Sequence, residues 1–221
     1  PMLPMIAIPT TAGTGSETQS FALISDAETH VKMACGDHKA RCAIALLDPT
    51  LTLTQPPRVT ALTGIDALSH ALETFVTTKR SPISLTFSRE SWRLLSRNLP
   101  RVLDDPGDLE AREGMQIGAC LAGLAIENSM LGATHALANP LTSEFDLVHG
   151  QAIGILLPHV IRYNGIEVGA WYQELATDPK VSAEESCEQL AQFVQGLVTQ
   201  AGLPTSLSQC DIPRENLLKL A

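Results

Sequence analysis

Apolar positions change their spacing once along this chain. Up to residue 48 they come in short apolar or alternating runs, Met5-Ile-Ala-Ile8, Phe21-Ala-Leu-Ile24, His30-Val-Lys-Met-Ala34 and Ala43-Ile-Ala-Leu-Leu47, separated by Gly, Ser and Asp. Runs of this length between turn-forming residues predict strands. After Pro57 the spacing becomes helical, with helices predicted over about 59–78, 83–98, 108–128, 131–138, 149–164, 182–201 and 213–221. Pro82, Pro100, Pro106-Gly107, Pro140 and Gly202-Leu-Pro204 punctuate them. Ser182-Ala-Glu-Glu185 reads as a capping box, and Gly114 to Ile126 as a central core helix whose small residues allow close contacts. The pattern predicts an α+β chain: a strand-rich segment over 1–48 and an all-helical domain over 49–221, with the boundary near Asp48-Pro49.

Bulk properties narrow the function. A chain of 221 residues can bury a sizeable core, as one large domain or as one domain with part of another. With 15 basic against 24 acidic side chains the net charge is −9, and no basic run exceeds Lys79-Arg80, which argues against a nucleic-acid partner. No apolar run approaches the roughly 18 residues a membrane span needs, and no secretory leader pattern opens the chain, so a soluble, cytoplasmic protein without a membrane partner is expected. The start at Pro1 and the stop inside a predicted helix read as the ends of a fragment. Cys35, Cys42, Cys120, Cys187 and Cys210 are odd in number and lack Cys-x-x-Cys spacing, so they read as reduced thiols.

The chemistry concentrates in four side chains. Asp66 and His70 are four apart in Thr-Gly-Ile-Asp-Ala-Leu-Ser-His-Ala-Leu-Glu, on one face of a predicted helix about one turn apart. His135 and His149 follow across Gly-Ala-Thr-His-Ala-Leu-Ala-Asn-Pro-Leu-Thr-Ser-Glu-Phe-Asp-Leu-Val-His-Gly. A carboxylate with three imidazoles suits Fe2+, Zn2+, Co2+ or Ni2+ better than Mg2+ or Ca2+. Alone, an Asp-x-x-x-His pair also reads as an ordinary polar contact. Glu73, one turn past His70, is a candidate acceptor for an imidazole N–H. His159 reads as a packed or capping histidine, not a ligand, and His30 and His38 as exposed. The loop Thr10-Thr-Ala-Gly-Thr-Gly-Ser16 reads either as a phosphate or ribose contact or as a polar loop between strands.

Gly64-Ile-Asp-Ala-Leu-Ser-His-Ala-Leu-Glu73, His135-Ala-Leu-Ala-Asn-Pro-Leu141, His149-Gly150 and Ile155-Leu-Leu-Pro-His-Val160 resemble the iron-containing (group III) alcohol dehydrogenases. Ile8-Pro-Thr-Thr-Ala-Gly-Thr-Gly-Ser-Glu17 resembles that family's nucleotide-side loop, and Leu47-Asp-Pro-Thr-Leu-Thr52 its domain junction, so the likeness covers nearly the whole chain. It implies that Asp66, His70, His135 and His149 ligate Fe2+ (or Zn2+), and that Thr10, Thr14 and Lys32 lie near NAD(P). It also implies that residues 1–48 are a remnant of an α/β dinucleotide-binding domain and 49–221 a helical metal-binding catalytic domain. The expected function is a metal-dependent oxidoreductase interconverting an alcohol and an aldehyde or ketone with a nicotinamide cofactor, as a homo-oligomer. The alternatives are a metal-dependent lyase or cyclase on the dehydroquinate-synthase-like scaffold, or a non-catalytic helical metal-binding module.

Two departures stand out. At the candidate catalytic position four residues past the third ligand, where family members often carry a second histidine, this chain has Asn139, whose amide cannot relay a proton at neutral pH. The family's Gly-Gly-Gly-Ser phosphate-binding turn is also absent from these 221 residues, so the fragment alone is expected to bind metal with little or no NAD-dependent alcohol oxidation.

Overall fold

The computed structural model describes residues 3–27, 32–176 and 180–217. They fall into two compact units, Pro1–Gly132 and Ala133–Ala221. In the first unit β1 (Ile6–Ala7) and β4 (Ile44–Ala45) form a parallel pair, with Ile6 opposite Ile44. Between them in sequence, β2 (Phe21–Ser25) and β3 (Lys32–Gly36) form an antiparallel hairpin. All four lie where short apolar runs predict strands; of the third run, His30 and Val31 lie outside the described residues. The change from strands to helices falls between β4 and Pro57.

Three helices complete this unit: α1 (Pro57–Val76), α2 (Pro82–Asp104) and α3 (Leu109–Glu127), each packed on the other two. Pro57 starts α1 where a missing N–H costs nothing. Ile65, Ala67, Leu68, Ala71, Leu72 and Phe75 of α1 are fully buried, and buried residues surround the helix, as expected of a core element. Helix α3, expected as a central core helix, packs on both α1 and α2, and its glycines serve close approach, since a Cβ at Gly118 would lie 2.7 Å from Leu95 and one at Gly114 2.1 Å from the Asn98 amide. Ser81 caps α2 reciprocally with Ser84, each backbone N–H meeting the other's hydroxyl at 3.1 and 2.8 Å. Pro100 does not end α2. The helix runs on to Asp104 because Leu99 and Val102 stay on its buried face, and that burial offsets the roughly 3 kcal/mol cost of an interior proline.

The second unit holds α4 (Ala133–Phe145), α5 (His149–Gln173), α6 (Ala183–Gln200) and a short α7 (Arg214–Leu217). Pro140 likewise lies inside α4, and α5 extends beyond its predicted end, with a kink at Val168 (φ −122°, ψ 22°). Ser182 caps α6 by accepting from Glu185 N at 3.2 Å, but the Glu185 carboxylate accepts from Gln189 rather than completing a capping box. Leu190, Ala191, Val194 and Leu197 bury the inner face of α6, which packs on α5. The pair is also joined by a bidentate Arg162–Glu188 contact at 2.7 and 2.9 Å that pulls the Glu188 carboxyl down to about 2.

Candidate metal centre

Helix α1, buried along most of its length, presents Asp66 and His70 on one face, 7% and 5% exposed. Asp66 Oδ1 lies 3.5 Å from His70 Nε2. Two ligands at roughly 2.0–2.2 Å from one tetrahedral centre stand about 3.4 Å apart, so this pair is spaced for a shared ion. One turn further on, Glu73 is buried too, and a Cβ at Gly132 would sit 3.1 Å from its Oε1, so glycine there leaves room for the carboxylate.

In the second unit, His135 lies in the first turn of α4 and His149 is the first residue of α5. Their ring centroids are 5.3 Å apart with planes inclined by 54°. Two imidazoles on one tetrahedral ion place their centroids about 5 Å apart, whereas tight stacking would bring them nearer and parallel. His135 is buried at 8% exposure, and, like Asp66 and His70, it offers one ligand atom. Asp66 with His70 offers an oxygen and a nitrogen, and His135 with His149 two nitrogens. That chemistry fits a divalent transition metal.

Asn139 lies one turn past His135 on α4, with Oδ1 buried and without a hydrogen-bond partner among the described residues. His159 is exposed on α5, so the packed or capping role expected of it is not found; an interior helical position gives the imidazole no end to cap. His38 is exposed as expected, its Nδ1 3.7 Å from Glu127; His30 lies outside the described residues. The five cysteines are free thiols, and burial, then the nearby Glu17 charge, pushes Cys120 up to about 11.

The loop over 10–16 is held from beneath. A Cβ at Gly13 would meet Thr63 of α1 at 2.6 Å, and Gly15, at φ +62°, lies against Ala119 and Gly123 of α3. Thr10 and Thr14 remain exposed above it, and the Thr14 hydroxyl donates to Ser16 Oγ at 3.1 Å. Lys32 opens β3, and its side chain lies outside the described part of the structure. Three neighbours escape sequence reading, because polar residues in a Gly/Thr/Ser loop look solvated. Gln19 donates to Thr14 O at 2.7 Å; Ser20 donates from N and Oγ to the Glu127 carboxylate at 2.9 Å; Glu17 is buried, which raises its carboxyl above the ordinary range. Among the described residues no helix is long and apolar enough to cross a membrane.

Residues 60–221 match the Fe-containing alcohol dehydrogenase family, C-terminal, and residues 1–49 match iron-containing alcohol dehydrogenase. The chain belongs to the iron-containing alcohol dehydrogenase family. It is 32% identical to the NAD-dependent methanol dehydrogenase of Bacillus methanolicus, over 100% of this chain and 59% of that protein. With the NADPH-dependent butanol dehydrogenase of Clostridium saccharobutylicum it shares 34% identity over 94% of this chain and 54% of the relative. Its fold superposes on the alcohol dehydrogenase from Oenococcus oeni with a TM-score of 0.94 at 31% identity, covering 100% of this chain and 59% of that one. The chain thus spans little more than half the length of these relatives.

Proposed function

We propose that this chain is the metal-bearing part of an oxidoreductase that interconverts an alcohol and an aldehyde or ketone with NAD(P). The observation that carries the reading is the pair of half-sites, Asp66 with His70 and His135 with His149, each spaced for a common ion. Asp66, His70, His135 and His149 would hold Fe2+ or Zn2+. When bound, such an ion supplies Lewis acidity, stabilising negative charge on an alcohol oxygen and polarising a carbonyl in the reverse direction. The chain's own residues set the surroundings. Burial of Asp66, His70 and His135 keeps competing water from the donors. Asn139 can orient a polar group by hydrogen bonding but cannot take its proton, so the hydroxyl proton must leave by another route. Thr10, Thr14 and Lys32 are proposed to contact the nicotinamide cofactor.

The relatives named above are dehydrogenases, which favours hydride transfer over the lyase or non-catalytic readings. One is NAD-dependent and another NADPH-dependent, so both nucleotides belong in the assay. A cytoplasmic homo-oligomer without nucleic-acid partners completes the reading, with residues 1–48 belonging to the dinucleotide-binding part and 49–221 to the catalytic part.

Elemental analysis tests the ligand set. Wild type and His159→Ala should retain one ion per chain, while Asp66→Ala, His70→Ala, His135→Ala and His149→Ala should each lose affinity by more than the roughly 10–100-fold cost of removing an outer partner of a ligand. A chelator should lower the melting temperature of wild type and leave the four ligand variants unmoved. Equal metal content in His149→Ala and His159→Ala would overturn the assignment.

A further inference from the structure

A cavity of about 10 Å³ lies between the turn that precedes α1, the first two turns of α1, α2, α3 and the loop at Ala12; Thr52, Gln55, Thr60, Thr63 and Arg112 form its polar wall, and Ala12, Val102 and Met115 its apolar wall. The Gln55 amide nitrogen Nε2 is buried there and meets no hydrogen-bond acceptor among the described residues. The amide is oriented by its other end, since Oε1 accepts from the Thr60 hydroxyl at 3.1 Å.

The hydroxyl protons around the cavity are all committed elsewhere. Thr60 donates to Gln55, Thr63 to Val59 O at 2.9 Å and Thr52 to Pro49 O at 2.8 Å. Each oxygen therefore keeps lone pairs but has no proton to offer. Arg112, 2% exposed, donates to Pro106 O at 2.6 Å, Thr52 O at 2.7 Å and the Thr52 hydroxyl oxygen at 3.4 Å, and no carboxylate pairs with it among the described residues. An occupant must accept from Gln55 Nε2 and donate to threonine oxygens. It must also be no larger than a solvent molecule, because this volume is at the lower bound for holding one.

We infer that this cavity binds one resident water molecule, held by Gln55 Nε2 and the hydroxyl oxygens of Thr60 and Thr63. A halide of similar size could only accept, and would face those lone pairs instead of using them. The bound water joins the turn at 49–55 to the first two turns of α1, and so fixes the start of the helix that carries Asp66 and His70. The inference rests on this cavity alone and stands whether or not a metal binds.

Crystals of the chain at a resolution that shows ordered solvent, with a parallel bromide soak, test it directly. The expected result is a single solvent peak about 2.7–3.2 Å from Gln55 Nε2, with no anomalous bromide signal there. In solution, oxygen-17 relaxation dispersion should count one long-lived water fewer in Thr63→Ile, which fills the cavity, and in Gln55→Met, which removes the donor. If one variant does not fold, the other and the crystal remain. A bromide peak at the site, a Gln55 amide bonded directly to protein with no solvent peak, or unchanged dispersion in a folded variant would each overturn the proposal.

Discussion

A carboxylic acid is stable inside a protein as long as it can keep its proton, and Glu17 is such a case. Burial disfavours its charged form and raises its pKa in the fold, so the folded state holds the proton more tightly than the unfolded chain does. Stability is therefore lost as pH rises from the unfolded value of 4.5 through the higher folded one. Glu17→Gln should raise the melting temperature at pH 7, with the gain vanishing at a pH below 4.5; a constant gain across that range in scanning calorimetry would mean burial of the charge is not the cause. Glu188 runs the other way. Held down to about 2 by Arg162 and then Gln192, it contributes stability above the ordinary carboxylate range that disappears as pH falls towards that value.

At the level of elements, the sequence was legible where periodicity is strong and misleading where one residue type was read alone. The i, i+4 spacing of Asp66 and His70 placed both on one face of a helix, and α1 carries them so. Pro100 and Pro140 read as stops yet lie inside helices, because burial of flanking side chains outweighs one lost backbone bond, and burial cannot be read from a proline. The small residues of α3 marked close contact correctly, and the helix packs on both α1 and α2. His135 and His149 stand fourteen apart in number, and nothing in their spacing dictates the 5.3 Å between their rings; that follows from how α4 turns into α5. Since α1 holds both Asp66 and His70, proposed as ligands, and the core of its unit, packing and binding should respond together. Leu72→Ala, at a fully buried position, should cost about 2–5 kcal/mol in chemical denaturation, and it should also weaken metal affinity. A surface change such as Arg93→Ala should do neither, its pairing with Glu90 being exposed.

At the scale of the molecule, the parallel pair β1–β4 leaves apolar side chains open. Parallel strands are usually covered on both faces, yet Ile6 and Ile44 are 62% and 53% exposed, with Leu3, Ile8 and Leu46 exposed beside them. A short strand pair with open edges and apolar faces favours self-association of the chain. Sedimentation velocity should show the weight-average mass of the 221-residue chain rising with concentration, and Ile44→Lys should suppress that rise.

The same open strand pair also sets where the chain yields first to a protease. The bonds that flank this short ladder, Ala43 N to Met5 O and Leu46 N to Ala7 O, can open locally without disturbing α1, while α1 itself opens only with its whole unit. A trace of chymotrypsin should therefore cut first near the exposed Leu46, and do so at a rate insensitive to stabilising changes in the helices. The helical remainder would outlast that cut, so the earliest stable product in a digestion course marks the place where cooperative folding begins.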